Sequence, residues 1–168
     1  MTTPDQGIFF YNKERLKTIL AYEFIGSAFV TTAFTISDSD SQARAFAYFI
    51  MYVVASHICG AHFNPATTIA CFITDKQAGK HIQANGNDAY KQLGFVLLAQ
   101  LLGSVAGILV TFILAKDYVT SYVLFPQGSL YTYFDVFTNE QGFNYLRIFL
   151  LEMLWTFFFT AIFLAIRG

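Results

Sequence analysis

One segment in the first half of the chain has the residue types needed to start a helix inside a membrane. Residues 56–67 read Ser-His-Ile-Cys-Gly-Ala-His-Phe-Asn-Pro-Ala-Thr. Asn64 is a strong helix N-cap, and Pro65 suits the first helical position, where its missing N–H is no loss. Together with Ala66 they form the tripeptide Asn-Pro-Ala. The positive end of such a helix, with the asparagine amide beside it, can offer donors to a polar solute and repel cations.

Two carboxylates, Glu23 and Glu152, each stand alone in an otherwise apolar stretch. An ionisable group at membrane depth suggests a functional site by default. A metal site is not expected, because the spacing of His57 and His62 to the two cysteines fits no familiar ligand set. We also expect no enzyme and no cofactor, since no nucleophile with a base is present.

The composition places these residues in a membrane protein. The 168 residues are 55% hydrophobic and only 12% charged, and the mean hydropathy is +0.49. In soluble domains roughly a quarter of the residues are charged. The net charge of −1 excludes a nucleic-acid partner, because no basic patch neutralises phosphates. Two cysteines cannot form a disulfide scaffold.

The apolar stretches predict the elements that position the motif. A helix crosses a bilayer with about 20 apolar residues, and a piece of half that length is typical of a re-entrant segment. We therefore predict an all-α membrane fold with four transmembrane helices and one half-helix, forming a single domain over residues 1–168. The predicted spans are 18–37, 43–59, 90–115 and 146–166, and the predicted half-helix is 64–74.

The distribution of Lys and Arg predicts the orientation of these spans. With both termini inside, 7 of the 10 Lys and Arg residues lie on the inner side. We expect an integral, multi-pass protein with N-in, C-in topology. The polar start lacks the features of a signal or transit peptide, so the first span is expected to stay in the mature protein. The sequence does not identify the membrane, and the mitochondrial inner membrane is compatible with it.

The motif segment resembles the first re-entrant loop of the aquaporin (major intrinsic protein) family, which typically reads G-H-I-S-G-A-H-x-N-P-A-V-T. Ser56, Cys59 and Thr67 depart from that pattern. The other spans resemble the family too, so that the chain is similar to the first two-thirds of an aquaporin. The residues that carry this wider resemblance are Glu23, Gly26, Gln100, Gly103, Gly107, Glu152 and Thr156.

An internal similarity accompanies the resemblance. The first span contains Glu-x-x-Gly-Ser-x-Phe from Glu23 to Phe29, and the fourth contains Glu-x-x-Trp-Thr-x-Phe from Glu152 to Phe158. Membrane proteins built from inverted repeats often show such weak symmetry.

The resemblance implies a role for each of these residues. Asn64, Pro65 and Ala66 are expected to be the pore motif. The residues expected to brace the re-entrant loops, the glutamates by accepting backbone hydrogen bonds, are Glu23, His62, Gln100 and Glu152. Those expected to let helices pack closely are Gly26, Gly103 and Gly107, of which the last two form a small-xxx-small face.

Two features depart from the family's pattern. The family brings together two half-helices, whereas this sequence has one Asn-Pro-Ala motif and no arginine-bearing second loop. The family usually places an aromatic filter residue twenty positions before the asparagine, and Arg44 takes that place here. A guanidinium there would narrow or plug a pore. Phe46 would supply the aromatic ring if the helix register were shifted.

Two functions remain open at this point. In the first, the protein is a non-conducting structural or accessory subunit of a larger membrane complex. In the second, it pairs with another chain to form a channel for water or small neutral solutes. Both require partners besides the lipid bilayer, namely other membrane subunits or a second copy that covers the half-helix, because exposed non-helical backbone does not occur in lipid. The aromatic connection 116–145 is either an interfacial belt or a docking surface.

Overall fold

A computed structural model describes residues 13–37, 40–77, 86–115, 132–135, 140–143 and 145–167. The chain divides into two compact units, Met1–Tyr122 and Val123–Gly168. The first unit contains the helices α1 (Lys13–Ile36), α2 (Ser41–Cys59), α3 (Pro65–Gln77) and α4 (Gly86–Ala115). The second contains the strands β1 (Thr132–Asp135) and β2 (Glu140–Phe143) and the helix α5 (Tyr145–Arg167).

Three of the described helices are long and apolar enough to cross a membrane. The qualifying segments are Arg15–Ile36 of α1, Asp88–Ala115 of α4 and Tyr145–Ile166 of α5. The helix α2 has 19 residues, among them Arg44 and His57, and is not one of these segments. A helical, multi-pass membrane fold is thus confirmed, whereas the crossing by α2 and the total of four spans stay predictions.

The α1–α4 contact is the most extensive one in the first unit. It depends on two glycines, since a Cβ at Gly103 would overlap the backbone carbonyl of Phe24 and a Cβ at Gly107 that of Ala28. At Gly107 the two helices are also joined by a hydrogen bond, which the Thr32 hydroxyl of α1 donates to the Gly107 carbonyl at 3.0 Å. Close approach of the two backbones, as a small-xxx-small face allows, places Glu23 of α1 beside α4.

Local sequence signals determine where α2 begins and ends. The Asp40 carboxylate accepts from the backbone N–H groups of Gln42 and Ala43, which makes Asp40 the N-cap. At the other end Gly60 has φ 83°, and its N–H donates to the carbonyl of Ser56 at 3.2 Å. Glycine adopts this left-handed conformation without a Cβ clash. The chain therefore leaves α2 at Gly60 and enters α3 five residues later.

The second unit contains a short antiparallel ribbon followed by a long apolar helix. The register of β1 and β2 pairs Thr132 with Phe143 and Asp135 with Glu140. The all-α prediction contained no strands, because runs of four residues are too short to show a hydrophobic period. The predicted belt or docking surface at 116–145 otherwise lies outside the described residues.

Candidate functional site

The loop between α2 and α3 has an unusual backbone conformation. Besides Gly60, two residues with side chains have positive φ, Ala61 at 52° and Phe63 at 46°. A residue with a Cβ in the left-handed region costs about 1–2 kcal/mol, so neighbouring groups must hold the loop in place. Ala61, His62 and Phe63 are all buried. We call residues 60–63 the re-entrant loop, after the position that the sequence predicts for it.

The Glu23 carboxylate holds the N–H side of the re-entrant loop. Glu23 is 0% exposed. Its Oε1 accepts from the backbone N–H of His62 at 3.0 Å, and its Oε2 accepts from that of Phe63 at 2.9 Å. Oε2 also accepts from Gln100 Nε2 at 2.8 Å. One buried carboxylate thus accepts hydrogen bonds from three N–H donors. A charged group is tolerated in the interior only when it has such partners.

Hydroxyl groups hold the carbonyl side of the same loop. The Tyr48 hydroxyl donates to the His62 carbonyl at 2.8 Å, and Thr67 Oγ1 lies 3.1 Å from the same oxygen. The Asn64 carbonyl accepts from the hydroxyls of Thr67 at 2.8 Å and Thr68 at 3.0 Å. These carbonyls are therefore bound by hydroxyls of the protein, as a backbone acceptor without access to water requires.

Gln100 joins the two sides of the loop. Its Nε2 donates both to Glu23 Oε2 and to Thr68 Oγ1, the latter at 2.7 Å. A single amide of α4 thereby connects a carboxylate of α1 to a hydroxyl of α3. The predicted bracing residues Glu23, His62 and Gln100 therefore lie in one hydrogen-bonded cluster.

Packing around Phe63 completes the enclosure of the loop. A Cβ at Gly26 would overlap the Phe63 ring, so this predicted packing glycine makes room for a loop residue. The Tyr48 ring meets the Phe63 ring edge-on, with centroids 6.1 Å apart and an interplanar angle of 74°. Phe63 thus lies between α1 and α2, in contact with both.

Asn64 begins α3 in the manner expected of an N-cap. Its Oδ1 accepts from the backbone N–H of Ala66 at 2.8 Å. This bond uses the acceptor end of the amide, so that the NH₂ group with its two donors is not needed to cap the helix. Asn64 and Ala66 are half-buried and Pro65 is exposed. The exposed side of α3 continues along Ile69 and Ile73.

Arg44 lies at the opposite end of α2 from the loop, next to the end of α1. Its Nε donates to Ser37 Oγ at 3.3 Å, and its guanidinium carbon lies 5.9 Å from the centre of the Phe34 ring. The side chain is half-buried. Phe46, the alternative filter residue, is 63% exposed and its ring contacts that of Phe49. A filter role for either residue stays a prediction.

The second predicted glutamate, Glu152, belongs to α5 in the second unit, and its side chain is exposed. Its role as a loop brace stays a prediction. Among the residues described, no group of three or more His, Cys, Asp and Glu side chains is arranged to hold a metal ion. Cys59 and Cys71 are buried and are not joined in a disulfide.

Three residues of the cluster were not predicted from the sequence: Tyr48, Thr67 and Thr68. A signal exists for the threonines, because Ser and Thr in the first turn of a helix often bond back to carbonyls three or four residues earlier. No comparable signal exists for Tyr48, which is separated from its acceptor by 14 positions.

Comparison with known proteins gives one match along nearly the whole chain. The family model named Major intrinsic protein matches residues 14–167. Among curated proteins, aquaporin-2 of Dugong dugon is 45% identical over 51 residues, which is 30% of this chain and 37% of that protein. Aquaporin-2 of Rattus norvegicus is 38% identical over 58 residues, which is 34% of this chain and 17% of that protein. These alignments cover much less than two thirds of the relatives' length. No solved structure gives a significant match.

Proposed function

Because this chain belongs to the major intrinsic protein family, we propose that it supplies the Asn-Pro-Ala half of a membrane channel for water or small neutral solutes. In this proposal α1, α2, α4 and α5 cross the membrane with both termini inside, and α3 is the re-entrant half-helix. The wall opposite α3 comes from further polypeptide.

The geometry of Asn64 is the observation that carries the proposal. Its Oδ1 is used by the Ala66 N–H, so the NH₂ group is oriented by the helix it caps. A solute oxygen passing this point would meet two donors in a fixed direction. A hydrogen-bond donor held in this way selects for solutes with an acceptor, and it does so without reorganising.

The half-helix adds an electrostatic reason for neutral solutes. The N-terminus of a helix has a partial positive charge equivalent to about half an elementary charge. With α3 starting at Pro65, that charge lies next to the Asn64 amide. Cations would be repelled at this point while neutral molecules would not. Arg44, if it faces the same path, would add a full positive charge.

The uncovered side of α3 supports the requirement for further polypeptide. Pro65, Ile69 and Ile73 form this exposed side at a spacing of four residues, and the polar Asn64 at the start of α3 is only half-buried. Lipid tails cannot bind an amide, and an unsatisfied polar group in the bilayer core costs several kcal/mol. Three sources are open: further residues of a longer chain, a second copy, or a different membrane subunit.

The second candidate function is a non-conducting structural subunit of a membrane complex. The bonding of the loop carbonyls favours it. Tyr48 donates to the His62 oxygen, and Thr67 and Thr68 donate to the Asn64 oxygen. Oxygens already bound by hydroxyls are poorer acceptors for a passing water. In this second candidate the cluster would stabilise a scaffold, and Arg44 would close any remaining path.

Water permeability distinguishes the two candidates. The protein, isolated in mild detergent with whatever subunits remain bound, is reconstituted into vesicles, and shrinkage after an osmotic step is followed by light scattering. We expect a rate above that of protein-free vesicles. Asn64→Asp and Ala66→Trp should return the rate to the protein-free value, because one adds a negative charge and the other fills the path.

Thr74→Ala is the matched control on the same helix, because the exposed Thr74 hydroxyl bonds within α3, to the Ala70 carbonyl at 2.9 Å. It should leave the rate unchanged. A rate equal to that of protein-free vesicles, together with unrelated subunits present in fixed stoichiometry, would reject the channel and support the structural role.

A further inference from the structure

At the end of the first unit where α3 ends and α4 begins, a lysine is held by a neutral side chain. Lys76 Nζ donates to the Tyr90 hydroxyl at 2.6 Å and lies 5.2 Å from the centre of the Tyr90 ring. These contacts fix the position of the ammonium, and no carboxylate among the described residues forms an ion pair with it. The lysine that follows Tyr90 on α4, Lys91, is instead paired with Asp88 at 3.4 Å.

The tyrosine that holds Lys76 is itself anchored. Its ring packs against the ring of Phe72 on α3, with centroids 5.1 Å apart and an interplanar angle of 56°. Phe72 is buried, while Tyr90 is 52% exposed. The Lys76 ammonium is therefore held at an accessible surface by a tyrosine whose ring is itself packed against α3.

Next to Tyr90, the surface of α4 has a gap. Gly94 is exposed, and a Cβ built on it meets no atom of the described side chains within 4 Å. Residues four apart are neighbours on a helix, so Tyr90, Gly94 and Leu98 follow one another along α4. With Leu101, which is 61% exposed, they form what we call the α4 stripe.

The α4 stripe has the length of one lipid acyl chain. Leu101 lies eleven positions after Tyr90, which is about 16 Å along the helix at 1.5 Å per residue. Half of a bilayer core is about 15 Å thick. The stripe is apolar, as the acyl chain of a phospholipid requires. It starts beside a cation that has no paired carboxylate in the described part of the chain, and this positive charge complements the negative headgroup of an anionic phospholipid. A protein partner would need a matching length of apolar helix with a carboxylate at its end.

We propose that Lys76 and the α4 stripe bind one anionic phospholipid. The lipid phosphate accepts a hydrogen bond from Lys76 Nζ, and one acyl chain lies along the stripe, filling the gap at Gly94. The proposal depends on the membrane location of the chain and is independent of whether the protein conducts any solute.

Lipid binding to the purified chain in detergent tests this site, with native mass spectrometry counting the lipids retained on each protein. Dioleoyl phosphatidylglycerol is the anionic probe, and dioleoyl phosphatidylcholine has the same chains without net charge. We expect one phosphatidylglycerol bound in preference to phosphatidylcholine. Lys76→Gln should lower the affinity about fivefold, the effect of one cation at an anionic surface.

Three further variants separate this site from general attraction. Lys17→Gln removes the same charge from an exposed position near the start of α1 and should change affinity by no more than about twofold, because only screened charge is lost. Tyr90→Phe keeps the ring and removes the hydroxyl that positions Lys76, so binding should weaken although the charge remains. Gly94→Leu should weaken binding by filling the gap.

The opposite outcomes would overturn the proposal. Equal losses for Lys76→Gln and Lys17→Gln would show attraction to the surface as a whole. If the Gly94→Leu variant bound phosphatidylglycerol as tightly as the unchanged protein, the acyl chain would not lie along the α4 stripe. Displacement of the lipid by glycerol phosphate at similar concentration would identify a phosphate site and not a lipid site. Helical circular dichroism of each variant shows whether it has folded.

Discussion

Glu23 and Glu152 have similar sequence surroundings and very different environments. Both precede a hydroxyl residue by four positions and a phenylalanine by six. Glu23 is buried and accepts hydrogen bonds from the His62 and Phe63 backbone and from Gln100. Glu152 is exposed on α5. The same local pattern therefore produces a loop brace in one region and an uncovered carboxylate in the other.

The difference shows that a carboxylate in a membrane helix is defined by what comes to it from elsewhere in the chain. The donors to Glu23 are 39, 40 and 77 positions away. A carboxylate facing lipid is costly, so the exposure of Glu152 agrees with the proposed requirement for further polypeptide.

Removing the carboxylates is the strongest test of this contrast. Glu23→Ala leaves three buried N–H groups without an acceptor, at about 1–3 kcal/mol each, so the free energy of unfolding in detergent should fall by at least about 3 kcal/mol. Glu152→Ala should change it by less than about 0.5 kcal/mol, as for other exposed positions. Unfolding followed by circular dichroism measures both.

Glu23→Gln keeps one acceptor oxygen and should lie between Glu23→Ala and the unchanged protein. If Glu23→Ala unfolds the chain entirely, Glu23→Gln remains measurable. Similar losses for the Glu23 and Glu152 variants would contradict the contrast.

The residue three positions after each glutamate provides a second test, of smaller effect. Gly26→Ala places a methyl group in the Phe63 ring, and overpacking of this kind costs about 1–3 kcal/mol. The corresponding residue on α5 is Trp155, which is 60% exposed, so Trp155→Phe should be close to neutral in the same unfolding measurement. A neutral Gly26→Ala would mean that the loop does not pack against α1 as described.

The smallest expected effect concerns the carbonyl side of the loop. Tyr48→Phe removes one hydroxyl donor to His62 but keeps the ring contact with Phe63, so we expect a loss of about 1 kcal/mol. If Tyr48→Phe cost as much as Glu23→Ala, the loop would depend on Tyr48 as much as on the carboxylate.

Much of the fold was predictable because membrane helices are specified by composition over long runs. The apolar stretches predict α1, α4 and α5, although α1 begins at Lys13 and α4 at Gly86, each earlier than the predicted span. Polar first turns extend a helix out of the apolar region without changing hydropathy there. For α2, Arg44 and His57 weaken the same signal. The strand pair in the long connection has no such signal.

The site was predictable in part, and the limit has a physical cause. Asn64 with Pro65 specifies a helix start through contacts two and three residues away, which sequence spacing can express. The left-handed conformations of Ala61 and Phe63 have no local cause, because neither residue favours positive φ. They are held by Glu23 and Tyr48, and no periodicity relates those positions.

The sequence alone therefore determined the apolar helices, the start of α3 and the presence of two isolated carboxylates, since each follows from interactions within one turn or from composition. Only the tertiary structure decided that the re-entrant loop is closed from both sides, by Glu23 and Gln100 on its N–H groups and by hydroxyls on its carbonyls. Hydrogen bonds are short and directional, so their partners depend on how the helices pack. That packing is set where Gly103 and Gly107 let α4 approach α1.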